Sequence, residues 1–185
     1  VFKPTGVGRF SLYQKITEGE ALSSNEKSEW ITVMNRFDEI CSKASEYDVP
    51  VLIDAEESWM QGAADILVEE LMEKYNTQKA IVFNTLQMYR HDRMNYLIGL
   101  HQRARQKNYH IGLKIVRGAY MEKERGRAEE KGYPSPICID KKATDDNYNK
   151  AIDYMMIHQK IALFAGTHNE ESSYLLIDLA KKHKI

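Results

Sequence analysis

Short apolar runs recur along the chain, separated by longer stretches in which apolar positions return every three or four residues. Residues 49–53 (VPVLI), 80–83 (AIVF), 111–116 (IGLKIV) and 161–165 (IALFA) are apolar on both faces, the pattern of parallel strands covered on both sides. A fifth strand is expected at residues 1–4, ahead of the other four. Between the runs, Trp30, Val33, Met34, Phe37, Ile40, Cys41 and Ala44 fall at helical spacing and predict one buried stripe. Further helices are expected at 60–75, 90–107, 122–131, 145–160 with Thr144 as cap, and 170–182 behind a Thr167-x-x-Glu170 capping box. The charged run 122–131 mixes signs at helical spacing and reads as a solvated helix face.

This alternation of strand and helix predicts an α/β fold, either an open doubly wound sheet or a (β/α)8 barrel. Thr5-Gly6-Val7-Gly8-Arg9 contains GxG but lacks the third glycine of GxGxxG and an immediately following helix, which argues against a dinucleotide fold. With 185 residues, 43% hydrophobic and 29% charged, the chain can bury the core of a single domain spanning 1–185, and disorder is excluded as the main state. Lys plus Arg number 26 and Asp plus Glu 27, so no global field draws polyanions or anionic lipid. Cys41 and Cys138 lie far apart without a CxxC, which excludes a disulfide scaffold and a thiolate metal site and suits a reducing compartment. No apolar run approaches the roughly 18 residues of a membrane helix. The chain opens on Val1 and stops inside a predicted helix, so it is expected to be a portion of a longer protein.

In both architectures the chemistry collects at the C-terminal ends of the strands. Those ends are polar here: Asp54-Ala55-Glu56-Glu57, Asn84 to Tyr89, Arg117-Gly118-Ala119-Tyr120 and Gly166-Thr167-His168-Asn169. Acid, amide, cation, phenol and imidazole are expected to converge on one face, although any one of them alone could simply cap a helix. Strand alternation puts Lys114 on the side of Val116 and Gly118, and a buried ammonium there needs an anion, from the protein or from a ligand. Lys3 repeats the pattern in the opening strand. Gly118 leaves backbone open to close approach by a flat ligand or a phosphate. The six histidines show no HxxxH or HxE spacing, so no metal is expected.

Lys114-Ile115-Val116-Arg117-Gly118-Ala119-Tyr120, followed by Met121-Glu122-Lys123-Glu124-Arg125, resembles the central signature of the proline dehydrogenases. Ile53-Asp54-Ala55-Glu56, Asn84-Thr85-Leu86-Gln87-Met88-Tyr89, Ala143-Thr144-Asp145-Asp146-Asn147-Tyr148 and Thr167-His168-Asn169 fall in the family's order, and the likeness is greater to its monofunctional form. The resemblance favours the barrel. It implies a TIM-type (β/α)8 fold with FAD at the strand ends, oxidation of L-proline to Δ1-pyrroline-5-carboxylate, and electron delivery to membrane quinone.

By the same resemblance, Lys3 faces the substrate carboxylate, Asp54 holds polar groups of the substrate pocket, and Tyr120 packs on the proline ring. Gln87 contacts the flavin, Lys114 stands near flavin N5, Val116 and Gly118 line the flavin, and Thr167 and His168 approach its ribityl and phosphate chain. About five of eight βα units are expected, without the family's last helix and its arginine pair, so weak or absent turnover is expected of these residues alone. Hydroxyproline dehydrogenase, a non-catalytic barrel fragment and a phosphate-binding barrel of other chemistry are the competing readings. A cytoplasmic protein, peripheral on the inner face of the cell membrane, completes the expectation.

Overall fold

The computed structural model describes residues 1–184, as four strands and seven α-helices. The strands β1 (Val51–Leu52), β2 (Val82–Gln87), β3 (Ile111–Val116) and β4 (Ile161–Ala165) form one parallel sheet in the order β1-β2-β3-β4. Each strand pairs with the next in sequence, so there is no point at which the strand order reverses. That is how a barrel wall is built, and it separates this fold from an open doubly wound sheet. The register runs from Val51 opposite Val82, through Thr85 opposite Lys114, to Lys114 opposite Phe164.

The helices are α1 (Phe10–Thr17), α2 (Ser24–Glu46), α3 (Ser58–Tyr75), α4 (Arg93–Lys107), α5 (Met121–Lys131), α6 (Lys141–Ile157) and α7 (Glu170–His183). On β3, Ile111, Leu113 and Ile115 are almost fully buried and join Leu97 and Leu100 of α4 and Tyr148, Ile152 and Met155 of α6 in the core. Lys114 and Val116 alternate with them and stay partly open. The core therefore lies between sheet and helices, and the opposite face of the sheet carries the polar positions.

Several expected boundaries shift. The opening strand reduces to one parallel bridge between Phe2 and Ile53, because a 3-10 turn at Pro4–Gly6 bends the backbone away from the sheet. Helix α1 follows that turn after all; it is short, and its burial rests on Leu12 and on Tyr13, whose hydroxyl donates to Pro4 O at 3.0 Å. β1 is shorter than the 49–53 run, with Val49 exposed. β2 instead extends through Asn84-Thr85-Leu86-Gln87, all buried. α6 begins four residues earlier than expected, with Asp140 rather than Thr144 as N-cap, its carboxylate accepting from Ala143 N at 2.7 Å. In α7 the cap is Asn169, which accepts from Ser172 N at 2.9 Å, while Thr167 turns to other partners.

The solvated reading of the charged run 122–131 holds for most of α5 but fails at Glu124, which is completely buried. Cys41 and Cys138 are both buried and unpaired. Among the described residues no helix is long and apolar enough to cross a membrane.

Candidate active site

The C-terminal ends of the four strands open into one cavity of about 770 Å³. All nine residues singled out from the sequence line it: Lys3, Asp54, Gln87, Lys114, Val116, Gly118, Tyr120, Thr167 and His168. Strand alternation aims Thr85 and Gln87 of β2 and Lys114 and Val116 of β3 into it, and the turns after β1, β3 and β4 supply the rest.

Two pairings organise its floor. Lys114 Nζ donates to Asp54 Oδ1 across β2, with the two side chains 17% and 25% exposed. Thr85 lies between them and spends its hydroxyl on Ile53 O at 2.7 Å, leaving room for the longer side chains to meet. Of the two sources of an anion left open for Lys114, protein or ligand, the structure supplies a protein carboxylate. Lys3 Nζ donates to Tyr120 Oη at 2.9 Å and stands 5.6 Å from the centre of its ring. That bond holds the Lys3 ammonium above its ordinary pKa, against a smaller opposing effect of burial. It ties the first segment of the chain to the turn that follows β3.

Gln87 is buried and donates to Ala55 O at 3.4 Å, while its Oε1 has no partner among the described residues. An unpaired carbonyl oxygen in a cavity wall is costly unless a ligand or a water supplies a donor. Gly118 has φ +138°, and a Cβ there would stand 2.5 Å from the Tyr89 ring, so only glycine fits and its backbone stays open to the cavity. The acceptor at Gln87, the bare backbone at Gly118 and the cation at Lys114 together suit a flat, polar-edged ring such as a flavin.

Residues that the sequence reading left without a role stand at the cavity's other end. Arg117 donates to Asp145 Oδ1 at 2.6 Å, Thr167 Oγ1 at 2.7 Å and Ser172 Oγ at 3.0 Å, and it stacks 4.5 Å from the centre of the Tyr148 ring. It thereby fastens the turn after β4 to α6 and α7. Thr167 is first of all an acceptor for Arg117 and for Asn169 N at 3.0 Å, and only its own hydroxyl proton remains to give. His168 is exposed at the rim. Lys141, the first residue of α6, adds a cation beside Arg117 and pairs with Asp145. The nearness of Lys141 to strand-end residues could not be read from spacing, because a long connection separates it from β3.

Not every polar strand-end residue converges here. Asn84 points to the helix side, donating to Asp65 Oδ1 at 2.9 Å in a buried group where Arg93 pairs with Asp65 at 2.8 Å. Glu56 accepts from Thr5 N and Oγ1, Glu57 pairs with Lys123, and Tyr89 lies under Gly118. Among the described residues no three His, Cys, Asp or Glu side chains are grouped to hold a metal ion.

Comparison with known proteins adds an independent line. A family model described as proline dehydrogenase matches residues 8–185. The carbapenem antibiotics biosynthesis protein CarD of Pectobacterium carotovorum subsp. carotovorum is 37% identical over 180 residues, covering 96% of this chain and 46% of that protein. Proline dehydrogenase 1, mitochondrial, of Drosophila melanogaster is 32% identical over 168 residues, covering 85% of this chain and 25% of that protein. A hydroxyproline dehydrogenase of Xenopus laevis is 35% identical over 156 residues, covering 82% and 34%. The chain thus spans less than half the length of these relatives. In fold it matches proline utilization A from Corynebacterium freiburgense with a TM-score of 0.81 at 21% identity, over 97% of this chain and 18% of that one.

Proposed function

Because this chain belongs to the proline dehydrogenase family, we propose that its cavity is the substrate and cofactor face of an enzyme oxidising L-proline to Δ1-pyrroline-5-carboxylate. One observation carries the reading: residues from six separate segments of the sequence meet in a single cavity at the strand ends. FAD would be held along Gln87, Lys114, Val116, Gly118, Thr167 and His168 and would supply the two-electron acceptance that the oxidation needs, with quinone as the onward acceptor.

The chain's own residues bind and orient. Lys3 offers its ammonium to the substrate carboxylate, and its bond to Tyr120 fixes the phenol ring that packs on the pyrrolidine ring. Lys114, held by Asp54, keeps further N–H donors directed into the cavity and stabilises negative charge that develops there. Gln87 offers its free carbonyl oxygen to a ring N–H of the cofactor, and Val116 and Gly118 give it an apolar and a backbone surface. Thr167 and His168 serve the ribityl and phosphate chain, with Lys141 as a nearby cation.

In this reading residues 1–185 form the N-terminal and central part of one barrel domain, and the activity belongs to the complete domain. Delivery of electrons to quinone brings the enzyme, from the cytoplasm, to the inner face of the membrane as a peripheral protein. Hydroxyproline is the second substrate to consider, on the likeness to the Xenopus protein.

The test is the visible spectrum of the full-length gene product with FAD, followed anaerobically by L-proline and by hydroxyproline. Flavin bleaching by proline is expected. Bleaching by hydroxyproline alone transfers the assignment to the second substrate, and failure to bind flavin makes the protein a barrel without this activity.

A further inference from the structure

Glu124 is the one completely buried carboxylate among the described residues, and it sits in a helix whose other charges, apart from the half-buried Arg127, face water. Its two oxygens accept from Ser58 N and Ser58 Oγ, each at 2.6 Å. Ser58 opens α3, whose N-cap residue Glu57 makes no side-chain cap bond because its carboxylate is engaged by Lys123 at 2.9 Å. The first N–H of α3, that of Ser58, thus receives its partner from another helix, and the negative charge is favourable at that positive helix end.

The same residue closes the first turn of α5, its N–H donating to Tyr120 O at 2.9 Å. Asp54 lies four residues before Ser58, and Tyr120 four residues before Glu124. The clamp therefore joins the two turns that carry Asp54 and Tyr120 into the cavity. Arg127 makes a second link one turn further on, pairing with Glu18 at 2.8 Å and stacking 4.7 Å from the centre of the Trp59 ring, but it is a step removed from the cavity residues.

We propose that Glu124 is a positioning residue, acting through Ser58 and the first turn of α5 to hold Tyr120 over the substrate ring. The proposal rests on the proline dehydrogenase reading of the cavity. It explains a burial that helix packing alone would not select, since an apolar side chain would cover the same space without the cost of desolvating a carboxylate.

The test uses the full-length flavoprotein. Glu124→Ala is expected to raise KM for L-proline by about tenfold with kcat nearly unchanged, the sign that contact between Tyr120 and the substrate ring, made equally in ground and transition state, is lost. Glu124→Gln, which can still accept from Ser58 N and donate to Ser58 Oγ, is expected to restore most of the affinity, and Ser58→Ala to fall between. In a Tyr120→Ala background, Glu124→Ala should add little, because the residue through which it acts is gone. Equal loss of KM and kcat, or full additivity with Tyr120→Ala, would overturn the proposal. Amide exchange at residues 120–124 supplies a readout free of activity: faster exchange in Glu124→Ala or Ser58→Ala is expected, and unchanged exchange in both sinks the idea. If the wild-type protein does not oxidise proline, the substrate reading has failed, and exchange still decides whether Glu124 holds the turn.

Discussion

At the scale of single residues, the Lys114–Asp54 pair is where charge and chemistry meet. Lys114→Met removes the ammonium and leaves a partly buried carboxylate facing the cavity, so both the electrostatic support and the local balance are lost. In the full-length enzyme kcat/KM for L-proline is expected to fall about 100-fold, as when a preorganised donor is removed from an oxyanion site. Lys114→Arg, which keeps the charge, should lose far less; equal activity of the Met variant and the wild type would show that the cation plays no part. Gly118 is constrained differently. Gly118→Ala adds a Cβ at φ +138° and 2.5 Å from the Tyr89 ring, so stability should fall by about 1–3 kcal/mol in thermal unfolding. Shrinking Tyr89 to Leu in the same chain should recover only part of that loss, since the backbone strain remains.

At the scale of elements, caps decide where helices begin. Asn169→Ala removes the side chain that satisfies Ser172 N and should cost about 1 kcal/mol in denaturant unfolding, with Asn169→Asp close to wild type. An unchanged midpoint for the Ala variant would return the cap to Thr167, where the spacing Thr167-x-x-Glu170 places it. The contrast shows how far sequence pattern reaches. β3 and β4 follow their apolar runs to the residue, although the cover on both faces that those runs predict is incomplete: Lys114 and Val116 of β3 stay partly open, and β4 is only partly buried, with Phe164 exposed. α1 escapes notice because it spans only eight residues, about two turns, and its burial depends on Pro4, Trp30 and α3 as partners. β2 looks shorter in sequence than it is, since Asn84, Thr85 and Gln87 read as a strand's polar end while each is in fact buried with specific partners or beside the cavity. In the site, alternation alone puts Lys114 inward. Its pairing with Asp54 needs the β1-β2-β3 order, and the arrival of Lys141 needs the fold of a whole connection, neither of which spacing encodes.

At the scale of the molecule, titration of buried groups sets how stability follows pH. Burial, with nearby His158 and Arg105, lowers the pKa of His101, whose Nδ1 shares a hydrogen bond with Tyr154 Oη at 2.9 Å in the contact between α4 and α6. Burial and then Lys160 lower that of His110. For both, the folded state resists a proton that the unfolded chain accepts, so stability is complete above the ordinary value of 6.5 and declines as pH falls through the lower, folded value. A second decline belongs to carboxylates. Bonds to Arg93 and Arg90 outweigh burial at Asp92 and lower it to about 2, and bonds to Lys15 and Ser23 lower Glu26 to about 2, so their support is present above their ordinary values and lost as pH falls toward 2. Melting temperature followed from about pH 8 to about pH 3 should therefore drop in two stages, the first beginning near neutrality. Replacing His101 by Gln, which keeps a hydrogen-bonding partner for Tyr154 but cannot take up the proton, should shrink the first stage to the part that His110 contributes and leave the second. A melting temperature that holds steady or rises as pH is lowered from 7 to 5 would mean that the α4–α6 contact accommodates the charged imidazole, against the burial that the fold imposes on it.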